Sequence, residues 1–400
     1  MLCCMQHHDS PLARLRRGHE DRVLDLLRKH GPLSRGQLGK QSGLSRTTLY
    51  DIIAELVTSG AIVVSAPNPA LRKRGRPVET LALNPEAGQA IGIDFARRAV
   101  HVASVNVAHE VIGSASEPHA ADLPWEEQVD IAERLIATLA EGTLRLGALS
   151  AIGVGVVGPV GPPGAEVTHA NRINGLPGLL GKRFGVPVLL DNNTRLAALA
   201  ESVWGAAAGD EDVLYLRLSH GVGGGLVVGG SLHRGVDGLS GEFGHITAET
   251  AGERCECGGT GCLETVASIG AVLDSYRAAG GRADDIAAFL AASQAGDSVA
   301  HAVLRRVGTR IGTVLAAVCN AIGPGVIVIG GELAEAGAAL IEPVEEAIGT
   351  HILPLSRHRV DLRRATLGEV GGALGGIALV LHESPLLSRY PAQPGPEEHV

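Results

Sequence analysis

The first pattern of apolar positions along the chain is helical. Between residues 19 and 29, valine and leucine recur at helix spacing, and Gly31-Pro32 ends the pattern. A second helix is predicted to begin after Ser34, because Gln37 follows at the spacing of a capping box, and to end near Gly43. Two short helices therefore open the ordered part of the chain.

A third helix follows a tight turn and completes a helix-turn-helix. Ser45 is its predicted N-cap and Gly60 marks its end. Its apolar face consists of Leu49, Ile52, Ile53, Leu56 and Val57. A β run at residues 61–65 makes the unit a winged helix-turn-helix over residues 19–66. The alternative is a small helical bundle used for dimerisation, but the positive local charge favours DNA binding.

Polar side chains open the third helix, which is the recognition helix in this geometry. The predicted DNA contacts there are Ser45, Arg46, Thr47, Thr48 and Tyr50. A basic run, LRKRGRP, follows at residues 71–77. Its Arg72, Arg74 and Arg76 suit a narrow minor groove or a phosphate track. A solvated charged linker is the alternative for this run.

From residue 89 the chain alternates short β runs with helical runs. Three β runs come first, which suggests an antiparallel start to a sheet. The predicted strands are 90–94, 100–107, 111–114, 152–157, 186–190, 213–218, 225–228 and 326–329, with helices at 126–141 and 297–321. This order favours two α/β lobes around a cleft over one doubly wound sheet.

Charge separates the two regions. Residues 1–80 contain 13 Lys and Arg against 7 Asp and Glu, a net charge of +6, and the chain total of −9 leaves −15 for residues 81–400. Only the head is therefore expected to meet a polyanion. A hydrophobic content of 45% excludes global disorder, and no apolar run reaches membrane-spanning length. We expect a cytoplasmic protein with no membrane partner.

Three cysteines lie within eight residues, at Cys255, Cys257 and Cys262. The first two are one residue apart and cannot easily bridge each other, but both thiolates can face one ion. Three glycines among them allow a tight backbone, and His245 is a natural fourth ligand. The spacing predicts a closed Cys₃His tetrahedral site for structural Zn²⁺. Reduced thiols in a core are the alternative.

GEFGH at residues 241–245 followed by CECGGTGCLE at 255–264 resembles the ROK family of bacterial repressors, uncharacterised open reading frames and sugar kinases. Segments that look like the family's, in its order, are GVGVVGPVG (153–161), LLDNNTRLAALAE (189–201), SHGVGGG (219–225) and NAIGPGVIVIGGEL (320–333). The head is similar to that of the family's repressor branch.

The resemblance implies an actin/hexokinase-like α/β body with two ribonuclease-H-like lobes over residues 89–385. The winged helix-turn-helix at 19–66 and a basic linker at 67–88 precede it, and disordered tails are expected at 1–18 and 386–400.

The resemblance also implies which residues bind a sugar in the cleft. These are Gly158, Asn171, Asn192, Asn193, Glu242, His245 and Glu264. Carboxylates and amides beside glycine-rich backbone suit the hydroxyls of a polyol, and zinc ligation would fix the imidazole of His245. Support of the zinc ligands is the alternative role for Glu242 and Glu264, and the two roles are compatible.

Two departures from the family's kinases predict that this chain is not an enzyme. Kinases of the family open with a D-x-G-G-T phosphate turn, but residues 94–98 here read DFARR, without glycine. The family's catalytic Asp lies eight residues before a Glu, and counting back from Glu201 gives Asn193. An asparagine cannot act as a general base.

The sequence therefore predicts a sugar-responsive transcriptional regulator, in its simplest form a repressor, with a catalytically inactive kinase-like sensor. Its partners would be a double-stranded DNA operator and a sugar effector, and family resemblance implies a homodimer or homotetramer. One alternative is an active ATP-dependent sugar kinase with a fused DNA-binding head. A second is a regulator that has lost its ligand.

Overall fold

A computed structural model describes residues 19–20, 22–24, 26–27, 30–58, 61–65, 79–84, 89–106, 110–139, 152–161, 175–186, 188–356 and 360–383. The predictions for both tails, for the arginines at 72, 74 and 76, and for Asn171 lie outside these residues.

The head forms as its capping signals predict. The described residues between 19 and 30 are helical. They are followed by β1 (Leu33–Ser34), α1 (Arg35–Ser42), α2 (Arg46–Thr58), β2 (Ile62–Ser65) and β3 (Thr80–Leu83). Ser34 and Gln37 make the reciprocal bonds of a capping box, and Gly43 ends α1 in the left-handed conformation. Ser45 accepts a hydrogen bond from the backbone N–H of Thr48 at 3.1 Å, as an N-cap does.

The wing is longer than the sequence suggested. The three strands pair in the order β1-β3-β2, and β3 lies within the segment predicted as linker 67–88. Leu81 of β3 is fully buried in the head's core. The head therefore extends to about residue 83, and the predicted end at residue 66 is wrong. This strand has four residues and one buried side chain, so its alternation of apolar and polar positions is too short to be recognised in the sequence.

The first lobe of the body is built on a five-stranded sheet. Its elements are β4 (Gln89–Phe95), β5 (Ala99–Asn106), β6 (Val111–Pro118), α3 (Trp125–Leu139), β7 (Ile152–Val156), α4 (Leu176–Phe184) and β8 (Val188–Asn192). The strand order is β6-β5-β4-β7-β8. Strands β4 to β6 are antiparallel, and β4, β7 and β8 are parallel. The apolar side of α3 packs on this sheet around Val129 and Ile136.

The second lobe repeats this topology. Its sheet runs β11-β10-β9-β12-β13, with β9 to β11 antiparallel and β9, β12 and β13 parallel. Its strands are β9 (Val213–Leu218), β10 (Val222–Val228), β11 (Ser231–His233), β12 (Val326–Gly330) and β13 (Asp361–Arg364). The helices from residue 193 onward are α5 (Asn193–Val203), α6 (Glu264–Ala267), α7 (Ile269–Ala278), α8 (Ile286–Gln294), α9 (Ser298–Ile322), α10 (Ala338–His351) and α11 (Gly371–Glu383). The repeated order confirms the two-lobed fold.

Two helices join the lobes at the cleft. Helix α5 follows β8 of the first sheet and packs on β10 of the second, while α11 packs on β4, β7 and α5. Helix and strand approach so closely that a Cβ on Gly153 would lie 1.8 Å from the carbonyl oxygen of Gly376. Within the described part of the chain, no helix has the length and hydrophobicity needed to span a bilayer.

One strand begins earlier than its predicted start at residue 225. Glycines 223 and 224 of the SHGVGGG segment lie inside β10 together with Gly225. A Cβ on Gly225 would come within 2.7 Å of the Ala198 side chain on α5. Glycine is therefore required here by the close packing of α5 on β10 rather than by a turn.

Candidate functional site

The four predicted metal ligands meet at one point. His245 ends a short 3₁₀ turn, and Cys255, Cys257 and Cys262 lie in the hairpin that follows it. The ligand atoms of all four residues lie within 4.8 Å of one another. His245 Nδ1 is 3.7 Å from Cys255 Sγ, and Cys257 Sγ is 3.7 Å from Cys262 Sγ.

These distances fit a tetrahedral metal ion. Zinc–sulfur bonds of about 2.3 Å place two tetrahedral thiolates about 3.8 Å apart. Around the cluster, the backbone N–H of Gly259 points at Cys257 Sγ at 3.4 Å. Gly261 has φ +69° and backs onto the carbonyl of Glu249, where a Cβ would collide at 1.6 Å. The cluster therefore could hold a metal ion, and two of its glycines, Gly258 at φ +92° and Gly261, adopt the left-handed backbone that its turns require.

The hairpin is anchored to the longest helix of the body. Glu249 accepts hydrogen bonds from Arg310 Nε at 3.0 Å and from Arg306 Nη2 at 3.2 Å, both on α9. Burial alone would raise the pKa of Glu249, but the two arginines lower it below its ordinary value. The metal-ligand hairpin is thus fixed to the second lobe.

Two carboxylates predicted to bind sugar lie beside this cluster. Glu264, at the start of α6, accepts a hydrogen bond from the backbone N–H of Val222 at 2.8 Å. Glu242 precedes the 3₁₀ turn that carries His245 and is half-buried. Burial raises the pKa of Glu242, and the nearby charge of Glu264 adds to this, while His245 and Arg195 oppose it.

Asn192 and Gly158 lie together because they are hydrogen-bonded to each other. Asn192 Nδ2 donates to the carbonyl oxygen of Gly158 at 2.9 Å, and Asn192 Oδ1 caps α5 by accepting from the N–H groups of Thr194 and Arg195. This geometry fixes the turn after β7. Direct contact of either residue with a sugar stays a prediction.

Asn193, at the position of the kinase base, is bonded to a buried carboxyl. Its Nδ2 donates to Asp94 Oδ1 at 3.0 Å, and Asn193 is only 5% exposed. Asp94 is fully buried, and its Oδ2 has no hydrogen-bond partner among the described residues. Burial raises the pKa of Asp94, although His101, Arg217 and the bond from Asn193 oppose the shift.

The turn after Asp94 is a short connection between β4 and β5. Only three residues, 96–98, separate the two strands, and the side chains of Arg97 and Arg98 are exposed. Arg98 uses its carbonyl to accept the N–H of His119 at 2.8 Å. No glycine lies in this turn, so it lacks the bare backbone that a phosphate nest requires.

A buried ion pair at the start of α5 was not predicted. Arg195 and Asp191 are each 1% exposed, and Arg195 Nε donates to Asp191 Oδ1 at 2.8 Å. An arginine in the otherwise apolar run RLAALA was the available signal, because a charge on a buried helix face needs a partner.

The predicted DNA contacts described by the structure lie together on the head. Ser45, Arg46, Thr47 and Tyr50 are exposed, and Thr48 is half-buried. The guanidinium groups of Arg35 and Arg46 both lie over the Tyr50 ring, at 5.1 and 5.8 Å from its centroid. Arg35 of α1 and Arg46 of α2 therefore place two positive groups over one aromatic ring of α2.

The ROK family model matches residues 90–383 of this chain. The chain belongs to the ROK family. The DNA-binding transcriptional dual regulator NagC of Escherichia coli K12 is 30% identical over 375 residues, covering 90% of this ROK chain and 91% of NagC. A solved ROK family transcriptional regulator, a homolog of the E. coli MLC protein, superimposes with a TM-score of 0.78 at 27% identity, covering 94% of this chain and 97% of its own.

A ROK kinase matches less of the chain. The ROK hexokinase from Thermus thermophilus superimposes with a TM-score of 0.62 at 31% identity, and nearly all of it, 98%, matches only 73% of this chain. The relatives that match both head and body are transcriptional regulators. The prediction of a ROK regulator rather than a kinase is therefore confirmed.

Proposed function

We propose that this ROK protein is a repressor that binds double-stranded operator DNA through its head and releases or gains that DNA when its body binds a sugar. One observation carries the proposal: a helix-turn-helix head is fused to a kinase-like body whose base position holds Asn193. That asparagine donates a hydrogen bond to Asp94 and cannot accept a proton from a sugar hydroxyl.

The head would read DNA through the start of α2. Arg46 and Tyr50 are exposed there, and the charge of the first 80 residues is positive. Arg72, Arg74 and Arg76 would add contacts to phosphate or to the minor groove. In a homodimer or homotetramer, paired heads would bind half-sites about one helical turn apart, which favours a pseudo-palindromic operator.

The body would bind the sugar beside the metal cluster. Glu242 and Glu264 would accept hydrogen bonds from hydroxyls, and Gly158, Asn171 and Asn192 would line the site from the first lobe. His245 and the three cysteines would hold structural Zn²⁺ through four protein ligands, so the ion would fix the hairpin and the imidazole rather than activate water. A relative from Escherichia coli O6:H1, 30% identical over 375 residues, is an N-acetylglucosamine repressor, which makes that sugar a first candidate ligand.

The test is operator binding by the purified, zinc-loaded protein, repeated with hexoses, pentoses, N-acetylated amino sugars and their phosphates. We expect one sugar class to change operator affinity by about 10-fold or more, a coupling of at least about 1.4 kcal/mol. ATP-dependent phosphorylation of any sugar would establish the kinase alternative. Operator binding that no sugar affects, together with no heat of sugar binding, would establish a regulator without a ligand.

A further inference from the structure

Arg195 makes an unusual set of contacts at the boundary between the lobes. It lies in the first turn of α5, and its guanidinium is buried. A buried guanidinium is costly unless its charge is balanced and its N–H groups are bonded. The bonds that Arg195 makes therefore indicate what the residue does.

Asp191 balances the charge. Asp191 Oδ1 accepts from Arg195 Nε at 2.8 Å and lies 2.6 Å from Nη2. The same carboxylate accepts the backbone N–H of Asn192 at 2.7 Å and a bond from Arg234 Nε. The pair is therefore held by the β8–α5 junction itself and by Arg234, which follows β11 of the second sheet.

The other N–H groups of Arg195 bond two loops from different lobes. Nη2 donates to the carbonyl of Val160, which follows β7 of the first sheet, at 2.8 Å. Nη1 donates to the carbonyl of Gly238, which follows β11 of the second sheet. The loops touch here, since a Cβ on Gly238 would lie 2.1 Å from Val160 O. One planar group thus joins both loops where they meet.

The first of these loops contains a predicted sugar contact, and the second leads directly into one. Gly158 lies two residues before Val160 and is held by Asn192. Glu242 lies four residues after Gly238. The positive charge of Arg195 favours the ionised form of Glu242 and so lowers its pKa, against the effect of burial. The bridge therefore connects the two sides of the proposed sugar site.

We propose that Arg195 is a positioning residue for the sugar site, which fixes the 157–161 loop of the first lobe against the 234–241 loop of the second. The inference rests on the proposed function for its ligand, but the bridge itself is made by groups of the protein alone. A site whose two sides are held before binding loses less conformational entropy when the ligand enters.

The test compares Arg195→Lys with wild-type full-length, zinc-loaded protein. Lysine keeps the charge beside Asp191 but cannot bond two carbonyls with one planar fork. We expect the affinity for N-acetylglucosamine, glucose or xylose, whichever binds wild type, to fall about 10-fold by calorimetry, with zinc content unchanged. Hydrogen exchange of ligand-free protein should rise in peptides spanning both loops. Arg183→Lys, a surface arginine paired with Asp130 and Glu133, is the matched control and should change neither readout.

Two results separate failure of the bridge from failure of the proposed function. If wild type binds none of the three sugars, the proposed ligand is wrong for this panel, and hydrogen exchange alone decides the bridge. Wild-type exchange in both loops of Arg195→Lys overturns the bridge. If Arg195→Lys does not fold, the double variant Arg195→Leu with Asp191→Leu removes both buried charges, and the same readouts apply to it. Arg234, which also contacts Asp191, is 37% exposed and therefore stays solvated in this variant.

Discussion

The metal-ligand hairpin and the β4–β5 turn differ in the chemistry that their residues can perform. The hairpin brings together three thiolates and an imidazole, with Glu242 and Glu264 beside them. The β4–β5 turn has no glycine, and the carboxyl that precedes it, Asp94, is buried and bonded to Asn193. One region has a set of ligands suited to a metal ion, while the other lacks the glycine backbone of a phosphate nest and has an asparagine at the position of the kinase base. Under the proposed function, the residues that would recognise the sugar are therefore separate from those that a kinase would need for phosphate transfer.

Loss of a metal ligand should have the largest effect. We expect Cys262→Ala to abolish metal binding, to loosen the hairpin from residue 245 to 264, and to reduce sugar affinity by about 100-fold, because the imidazole and Glu264 lose their support. Elemental analysis measures the metal content, hydrogen exchange measures the loosening of the hairpin, and calorimetry measures the sugar affinity. Cys319→Ala, which removes a buried thiol outside the cluster, should retain the metal. Less than one metal ion per chain in wild type purified without chelators would contradict the account.

Restoring a carboxylate at the base position should not restore a kinase. Asn193→Asp places a second carboxyl next to Asp94 Oδ1, from which the present amide nitrogen is 3.0 Å away. Two buried carboxyls at this distance cannot both ionise, so we expect the free energy of unfolding at pH 7 to fall by about 3 kcal/mol and no sugar phosphorylation to appear. Denaturant unfolding and a coupled ADP assay measure these outcomes. ATP-dependent turnover by this variant would show that the β4–β5 turn still serves phosphate transfer.

Asp94→Asn is the matched control for Asn193→Asp, and its effect on the free energy of unfolding should depend on pH. Because burial raises the pKa of Asp94, its contribution to stability is present at low pH and is lost as pH rises through the raised pKa. Asp94→Asn should therefore stabilise the protein by about 1 kcal/mol at pH 7, and the gain should shrink as the pH falls towards 4. Combined with Asn193→Asp, it should recover most of the stability that the single variant loses.

Removing the charge of Glu242 should weaken sugar binding without affecting the metal. We expect Glu242→Gln to reduce sugar affinity by about 10-fold or more, because a carboxylate is the stronger acceptor for hydroxyls. Burial raises the pKa of Glu242, so the carboxylate becomes protonated as the pH drops through this raised pKa. The sugar affinity of the wild type should fall over that pH range, and the sugar affinity of Glu242→Gln should not. Calorimetry between pH 5 and 8 checks both points, with the exposed Glu253→Gln as control. Equal pH profiles would remove Glu242 from the sugar site.

A head variant should leave both regions of the body unaffected. Arg46→Ala should weaken operator binding by about 10-fold through a lost base or phosphate contact, with sugar affinity unchanged. Lys182→Ala on the surface of the body should change neither. Fluorescence anisotropy with labelled operator measures the first quantity. An unchanged operator affinity in Arg46→Ala would move the DNA contact away from the start of α2.

Local signals in the sequence were sufficient to predict interactions between residues that are close together in the chain. The capping box of Ser34 and Gln37, the N-cap Ser45 and the four metal ligands were predicted from spacing, and the structure forms the caps and brings the four ligands together. In each case, neighbouring residues along the chain make the interaction, so the pattern is readable without knowledge of the fold.

Interactions across the fold were not predictable in the same way. The role of Arg195 depends on Val160 and Gly238, which lie 35 and 43 residues away in the chain. The bond between Asn193 and Asp94 spans 99 residues. Strand β3 was missed because its only strong signal, Leu81, has meaning only once it is paired with β2. In each case the interacting partner could be identified only after the order of the strands was known.

The most direct test of the account measures sugar binding and ATP turnover in one zinc-loaded preparation that also binds operator. The account predicts a clear heat of binding for one sugar class, a change in operator affinity at the same sugar concentration, and no ADP formation with ATP and Mg²⁺ present. ADP formed in step with sugar phosphate would contradict it, because the chain would then act as a kinase with an asparagine at the base position.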